Sequence, residues 1–255
     1  MSSTLKGRVA IVTGAGHGIG KAYARRLAEE GASVVIAEID AEAAELVAKE
    51  LNAEGFRALA VHTDVTIPQS TMEMARLAVE TFGRIDILVN NAAIFISVPM
   101  SRAPFDEIDP GEWDRMMAVN VKGAWLSSCA VAPYMRKQAY GKIINISSGT
   151  ALKGSDNRIH YVASKAAILG FTKTLANELG KAGVCVNCIA PGSTLSEENP
   201  DEAIIKRRTA ASSARAIPRL QTPEDMLGAV VFFASADSDF ITGQTLVVDG
   251  GSCMH

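Results

Sequence analysis

The chain has 255 residues, 48% of them hydrophobic, with 25 Lys and Arg against 28 Asp and Glu for a formal net charge of -3. This is the composition of a folded globular chain rather than a disordered one, and with no basic run longer than Lys206-Arg207-Arg208 it excludes an electrostatic nucleic-acid footprint. The first apolar stretch, Val9 to Thr13, runs into glycines too soon for a signal peptide or membrane span, so neither nucleic acid nor membrane is expected as a partner and a cytoplasmic location is expected.

The first β-branched run, Val9-Ala-Ile-Val-Thr13, reads as a strand. Directly after it, Thr13-Gly14-Ala15-Gly16-His17-Gly18-Ile19-Gly20 opens a segment that repeats apolar residues at helical spacing through Ile19, Ala22, Tyr23 and Leu27. Strand, glycine turn and helix N-terminus in that order make a pyrophosphate site, because glycine lets backbone N–H groups and the helix dipole approach an anion. Gly14, His17, Gly18 and Ile19 are its candidate contacts.

The second strand, 33–37, is followed at once by Glu38. A carboxylate there can accept hydrogen bonds from both adenosine ribose hydroxyls and repel a 2′-phosphate. Because the turn itself holds no Arg or Lys to grip such a phosphate, NAD is expected in preference to NADP. Asp40 competes for the ribose but reads better as the N-cap of the next helix, whose apolar face is Ala43, Ala44, Val47 and Leu51.

A third strand at 58–62 and a helix with Met72, Ala75, Val79 and Phe82 on one face lead to a fourth strand at 85–89. Asn120 then stands in a mainly apolar helical run with Met116, Met117, Val119 and Val121, as a satisfied core amide or as part of a polar chain from the site to water. The fifth strand, 142–146, delivers Ser148 to its carboxyl end, where a parallel sheet presents residues to its ligand crevice.

Tyr161 and Lys165 are four apart and share one helix face. A phenol with a reference pKa near 10 is a poor base at neutral pH, and an adjacent ammonium and a cationic nicotinamide both favour the phenolate. Lowering its pKa by about three units takes roughly 4 kcal/mol of differential interaction. The sixth strand spans 184–190 and the seventh 245–248. Cys185 and Cys188 match a C-x-x-C pattern, but on a strand side chains three apart face opposite sides, so neither redox nor zinc chemistry is expected there and no metal is assigned. Four cysteines are also too few for a disulfide framework.

No linker or internal repeat divides the chain, so 1–255 reads as one domain. Its pattern is a doubly wound, Rossmann-type α/β fold, a seven-stranded and mainly parallel sheet with helices on both faces. Residues 195–218 should form a lid over the substrate. Phe95, Ile96, Thr150, Leu152 and lid residues are expected to line a mostly apolar pocket, and Lys206-Arg207-Arg208 reads as a solvated helix face, with attraction of an acidic substrate as the alternative.

These motifs jointly resemble those of the short-chain dehydrogenase/reductase family over nearly the whole chain. The matching residues are Thr13-Gly14-x-x-x-Gly18-Ile19-Gly20, Asp64, Asn90-Asn91-Ala92, Asn120, Ser148, Tyr161-x-x-x-Lys165 and Pro191-Gly192. The resemblance implies that Tyr161 donates or removes the proton, Ser148 orients the carbonyl oxygen, Lys165 holds the nicotinamide ribose and tunes Tyr161, and Asn120 anchors a relay water. It further implies Asp64 and Val65 against the adenine, Asn91 and Ala92 along the cofactor, Pro191, Gly192, Thr194 and Ser196 at the nicotinamide end, and a homotetramer. Ala93 departs from the glycine common in the family, and Ser196 from the threonine that binds the carboxamide in many members.

The expected activity is NAD(H)-dependent interconversion of a secondary alcohol and a ketone. The stretches Ala216-Ile-Pro-Arg-Leu220, Phe240-Ile-Thr-Gly-Gln-Thr245 and Val248-Asp-Gly-Gly251 look like those of bacterial NAD-dependent dehydrogenases acting on aromatic or cyclic secondary alcohols. A 3-oxoacyl-carrier-protein reductase is the alternative with the same machinery. Against it stand the NAD expectation and Ala139 and Ala182, where those reductases resemble one another in carrying Arg. A silent dinucleotide-binding scaffold or redox sensor is the alternative of another class, disfavoured by the intact set Asn120, Ser148, Tyr161 and Lys165.

Overall fold

The structure, a computed structural model, describes residues 4–95, 100–197 and 200–254, without the side chain of Arg207. In chain order the elements are β1 (Val9–Thr13), α1 (Gly18–Glu29), β2 (Ser33–Glu38), α2 (Ala41–Ala53), β3 (Ala58–His62), α3 (Pro68–Phe82) and β4 (Ile87–Asn90). They continue with α4 (Pro110–Met117), α5 (Gly123–Gln138), β5 (Gly141–Ile146), α6 (Thr150–Lys153), α7 (Ile159–Leu179), β6 (Val184–Pro191), α8 (Glu202–Ser212), α9 (Glu224–Ala234) and β7 (Thr245–Val248).

The strands form one sheet in the order β3-β2-β1-β4-β5-β6-β7, every pair parallel. The expected doubly wound architecture is therefore present, and the sheet is wholly parallel. Successive side chains on a strand face opposite sides, and both sides are covered. Ala10, Val12, Val34 and Ile36 pack with α1, α2 and α9, whereas Ile11, Val35 and Leu88 pack with α3, α5 and α7. That double coverage is why the strands read as continuous apolar runs rather than alternating ones. After β3 the chain crosses to the far side of β1 to lay down β4, so the crevice between the carboxyl ends of β1 and β4 is the switch point at which such sheets bind ligands.

Several expectations shift. β4 begins at Ile87 rather than at residue 85, because the Ile85 N–H and carbonyl are both taken by the Gln138 side chain, and the fully buried Asp86 carboxylate accepts from the Val9 N–H at 2.9 Å and from Arg8 and Arg84. On α3, Met72 is exposed, and the buried face is Thr71, Met74, Ala75 and Ala78. Asp40 caps α2 by accepting from the Ala43 N–H. Cys185 and Cys188 are both free thiols with separate partners, the Asp239 and Ile189 carbonyls. Among the described residues no helix is long and apolar enough to cross a membrane.

Candidate active site

A cavity of about 700 Å³ runs along the carboxyl ends of the strands, from the glycine turn and Glu38 at one end past Ser148, Tyr161 and Lys165 to the stretch after β6. The turn is built around close backbone approach. Gly14 has φ +65° and a Cβ there would lie 2.8 Å from the Ala92 Cα, while one on Gly20 would lie 1.9 Å from the Gly14 carbonyl oxygen. Only glycine fits both places. Asn91 clamps the turn from the end of β4, donating its side-chain amide to the Thr13 and Gly14 carbonyls at 3.0 and 2.9 Å. The Thr13 hydroxyl in return accepts from the Asn91 and Ala92 N–H groups.

Glu38 is nearly buried at the carboxyl end of β2. Its Oε2 accepts from the Gly16 N–H at 3.0 Å and its Oε1 from the Ile39 N–H at 2.8 Å, so the carboxylate is held facing the cavity beside the turn. Gly14, His17, Gly18, Ile19, Asn91, Pro191, Gly192, Thr194 and Ser196 also line the cavity. Asp64, Val65 and Ala92 do not. Asp64 instead accepts from the Thr66 N–H and hydroxyl, and Val65 packs where a Cβ on Gly123 would stand, 2.7 Å from its Cγ2.

The chemical end is organised by β5 and α7. Ser148 follows β5, with its hydroxyl accepting from the Thr150 hydroxyl at 3.0 Å, and Tyr161 of α7 lines the same wall. Burial pushes the Tyr161 hydroxyl above the ordinary phenol value, only partly opposed by the Ser148 side chain and by the positive charge of Arg158. One turn on, burial pushes the Lys165 ammonium down to about 8. Lys165 donates to the Ile146 carbonyl at 2.9 Å, and its nitrogen stands 6.0 Å from the centre of the Tyr161 ring. The expected phenolate is thus not favoured by Lys165 in the cofactor-free chain, because desolvation outweighs a cation that is itself desolvated.

Asn120 lies in a π-helical turn, Ala118–Lys122, between α4 and α5. It is buried behind the cavity wall, where its Oδ1 accepts from the Ile94 N–H at 2.8 Å and its amide donates to the Ser164 hydroxyl at 3.0 Å. The wider turn aims one amide both at the loop after β4 and at α7, which a regular helix would not do.

At the far end, Phe95 stacks on Tyr161 with ring centres 5.1 Å apart, and Thr150 lines the wall. Leu152 does not, and Ile96 lies outside the described residues. The apolar expectation left out the charge. Arg102, Lys153, Arg158, Arg208 and Arg215 line this end against the carboxylates Glu197 and Asp249. The basic cluster on α8 divides accordingly: Lys206 is exposed, while Arg208 is 7% exposed and ion-paired with Glu197. Arg158 carried a usable signal, standing one helical turn before Tyr161. Arg102 and Arg215 carried none.

The short-chain dehydrogenase family model matches residues 8–203. The chain is 40% identical to a galactitol 2-dehydrogenase of Agrobacterium fabrum, covering 98% of this chain and 99% of that one. It is 39% identical to the (2S)-[(R)-hydroxy(phenyl)methyl]succinyl-CoA dehydrogenase subunit BbsD of Thauera aromatica, over 97% of both. With a 3-oxoacyl-[acyl-carrier-protein] reductase of Thermotoga maritima it shares 36% identity over 97% of this chain and 98% of the relative. A crystal structure of a candidate short-chain alcohol dehydrogenase from Sinorhizobium meliloti 1021 superposes with TM-score 0.89 at 31% identity, covering 99% of this chain and 98% of that one. The glycine turn, the strand-end serine and the Tyr161/Lys165 face thus sit in the fold that these relatives share, and the chain belongs to the short-chain dehydrogenase family, as an oxidoreductase working with a nicotinamide dinucleotide.

Proposed function

We propose that the chain interconverts a secondary alcohol and a ketone with NAD(H), Tyr161 being the acid/base. The observation that carries this reading is that Ser148, Tyr161 and Lys165 line the same cavity as the glycine turn and Glu38, with the Ser148 side chain favouring ionisation of the buried Tyr161 hydroxyl. When bound, the dinucleotide supplies a nicotinamide carbon that takes or gives the hydride. Gly14, His17, Gly18 and Ile19 would hold its pyrophosphate through backbone N–H groups, Glu38 the adenosine ribose, Asn91 its flank, and Pro191, Gly192, Thr194 and Ser196 its nicotinamide end.

Ser148 Oγ donates to the substrate oxygen and orients it, and Tyr161 Oη gives that oxygen its proton on reduction or removes it on oxidation. Lys165 Nζ, which lines the cavity while it donates to the Ile146 carbonyl, would hold the nicotinamide ribose. Asn120, with both ends of its amide engaged, positions Ser164 and the Ile94 loop around Tyr161. NAD is supported over NADP because the Glu38 carboxylate is held against the glycine turn by the Gly16 N–H, where it repels a 2′-phosphate.

The test is a panel of secondary alcohols, sugars and 3-oxoacyl thioesters followed by nicotinamide absorbance with each dinucleotide. Turnover with NAD(H) that is lost in Tyr161→Phe, while NADH still raises the melting temperature, supports the reading. Retained turnover in Tyr161→Phe removes the acid/base assignment, and turnover confined to carrier-protein thioesters with NADPH selects the acyl-carrier reductase instead.

A further inference from the structure

The chain is net acidic at -3, yet the cavity wall beyond Tyr161 gathers five cationic side chains against two carboxylates. Three of the five are engaged. Arg208 pairs with Glu197, Lys153 donates to the Ser252 hydroxyl at 2.5 Å, and Arg215 donates to the Ser193 and Arg219 carbonyls. Arg158 and Arg102 differ. Arg158 is half-buried, and its one hydrogen bond among the described residues runs from Nε to the Ser155 hydroxyl at 2.7 Å. Its two terminal nitrogens have no acceptor there, and Arg102 has no hydrogen bond or ion pair among the described residues.

Resting on the carbonyl-reduction reading above, we propose that the substrate carries a carboxylate close to its reacting carbon, and that Arg158 with Arg102 binds it. A half-buried guanidinium flanked by Arg208 and by the exposed Arg102 attracts an anion into the cavity. Burial first, then repulsion by Arg102 and Arg208, already weakens the hold of Arg158 on its proton. The buried Nε–H groups of Arg208 and Arg215 also lack acceptors, while Oδ2 of Asp249 lacks a donor.

A carboxylate is the anion that fits. With Nε tied to Ser155, Arg158 presents its remaining edge as a planar fork matched to two coplanar oxygens. Its guanidinium carbon is 5.8 Å from the centre of the Tyr161 ring, so an anion on it lies only a few bonds from the oxygen that Tyr161 serves. The charge is not explained by the dinucleotide, whose phosphates belong at the glycine turn on the other side of the catalytic pair.

The experiment compares 3-oxo acids with their amides as oxidants of NADH, acetoacetate against acetoacetamide first, with acetoacetyl-CoA as a third arm. The acid should have the higher kcat/KM by about 10- to 100-fold, the worth of a hydrogen-bonded ion pair. That preference should collapse toward unity in Arg158→Gln, with part of it restored in Arg158→Lys. No acid preference, or one unchanged in the Arg102→Gln/Arg158→Gln double variant, overturns the proposal. So does a preference for the thioester that survives in the double variant, since the anion read is then a coenzyme phosphate bound elsewhere. If none of the ketones is reduced, the carbonyl-reduction reading fails separately, and the arginine site is decided by melting. Acetoacetate should raise the melting temperature of the NADH-loaded wild type and not of the double variant, and the absence of any rise removes the carboxylate site as well.

Discussion

Lys165 donates its ammonium to the Ile146 carbonyl at 2.9 Å instead of to the Tyr161 hydroxyl, whose ring centre is 6.0 Å away. The lysine is therefore braced on β5, and the groups that oppose the effect of burial on Tyr161 are Ser148 and Arg158. Burial dominates both groups in opposite senses, holding the phenol protonated and making the ammonium easier to deprotonate.

The first prediction concerns the phenol. In the cofactor-free protein, a difference ultraviolet titration of wild type against Tyr161→Phe should show no ionisation of Tyr161 below the ordinary value of 10. A phenolate signal near neutral pH in that difference spectrum would mean that some cation closer than Lys165 reaches the hydroxyl. Adding NAD+ should move the ionisation downward, because a positive charge favours the anion.

A second prediction follows from Lys165, whose pKa falls from 10.5 to about 8 on folding. Between those values the folded chain binds fewer protons than the unfolded one, so this group makes stability rise with pH. Its contribution is full above 10.5 and is lost as pH falls through about 8. Relative to Lys165→Met, the wild type should gain on the order of 3 kcal/mol between pH 7.5 and 10.5, measured by urea unfolding of both proteins. A pH-independent difference would place the lysine in water.

Two glycines offer a third test. A Cβ on Gly20 meets backbone at 1.9 Å, whereas one on Gly170, exposed on α7, meets nothing within 4 Å. Gly20→Ala should cost about 1–3 kcal/mol or more and abolish stabilisation by NADH. Gly170→Ala should add about 0.5–1 kcal/mol through helix propensity alone. Equal effects on the two melting temperatures would contradict the packing of the turn.

The fourth prediction addresses cofactor choice. Glu38→Ala removes the carboxylate that accepts from Gly16 and Ile39. Stabilisation by NADH, read as a melting shift by mass-action linkage, should weaken by about tenfold in apparent Kd, as for one charged hydrogen bond, and the discrimination against NADPH should shrink. An unchanged NADH/NADPH ratio would move selectivity away from Glu38.

Much of the fold was legible in the residues because burial on both faces leaves an unmistakable mark on each strand. Ile11 and its neighbours Ala10 and Val12 are apolar in unbroken succession since each side of the sheet has its own helices. Helix faces were less secure. Met72 stands at helical spacing from Ala75, and Met74 from Ala78, so only packing against the sheet shows that Met74 is the buried one. The cavity charge was least legible of all. Arg102, Arg158 and the pair Arg208 and Arg215 come from three separate stretches, and nothing along the chain says that they face one another.

By itself the sequence determined what is local: the strand runs, the glycine turn between β1 and α1, the Glu38 position after β2 and the Tyr161/Lys165 face. These depend on neighbours within a turn of helix or a strand's length, where spacing and backbone geometry are one problem. Tertiary structure alone decided that Lys165 is tied to Ile146, that burial outweighs its pull on Tyr161, and that arginines from distant segments converge beyond it. Desolvation and charge repulsion depend on distances through space, and only the folded chain sets those.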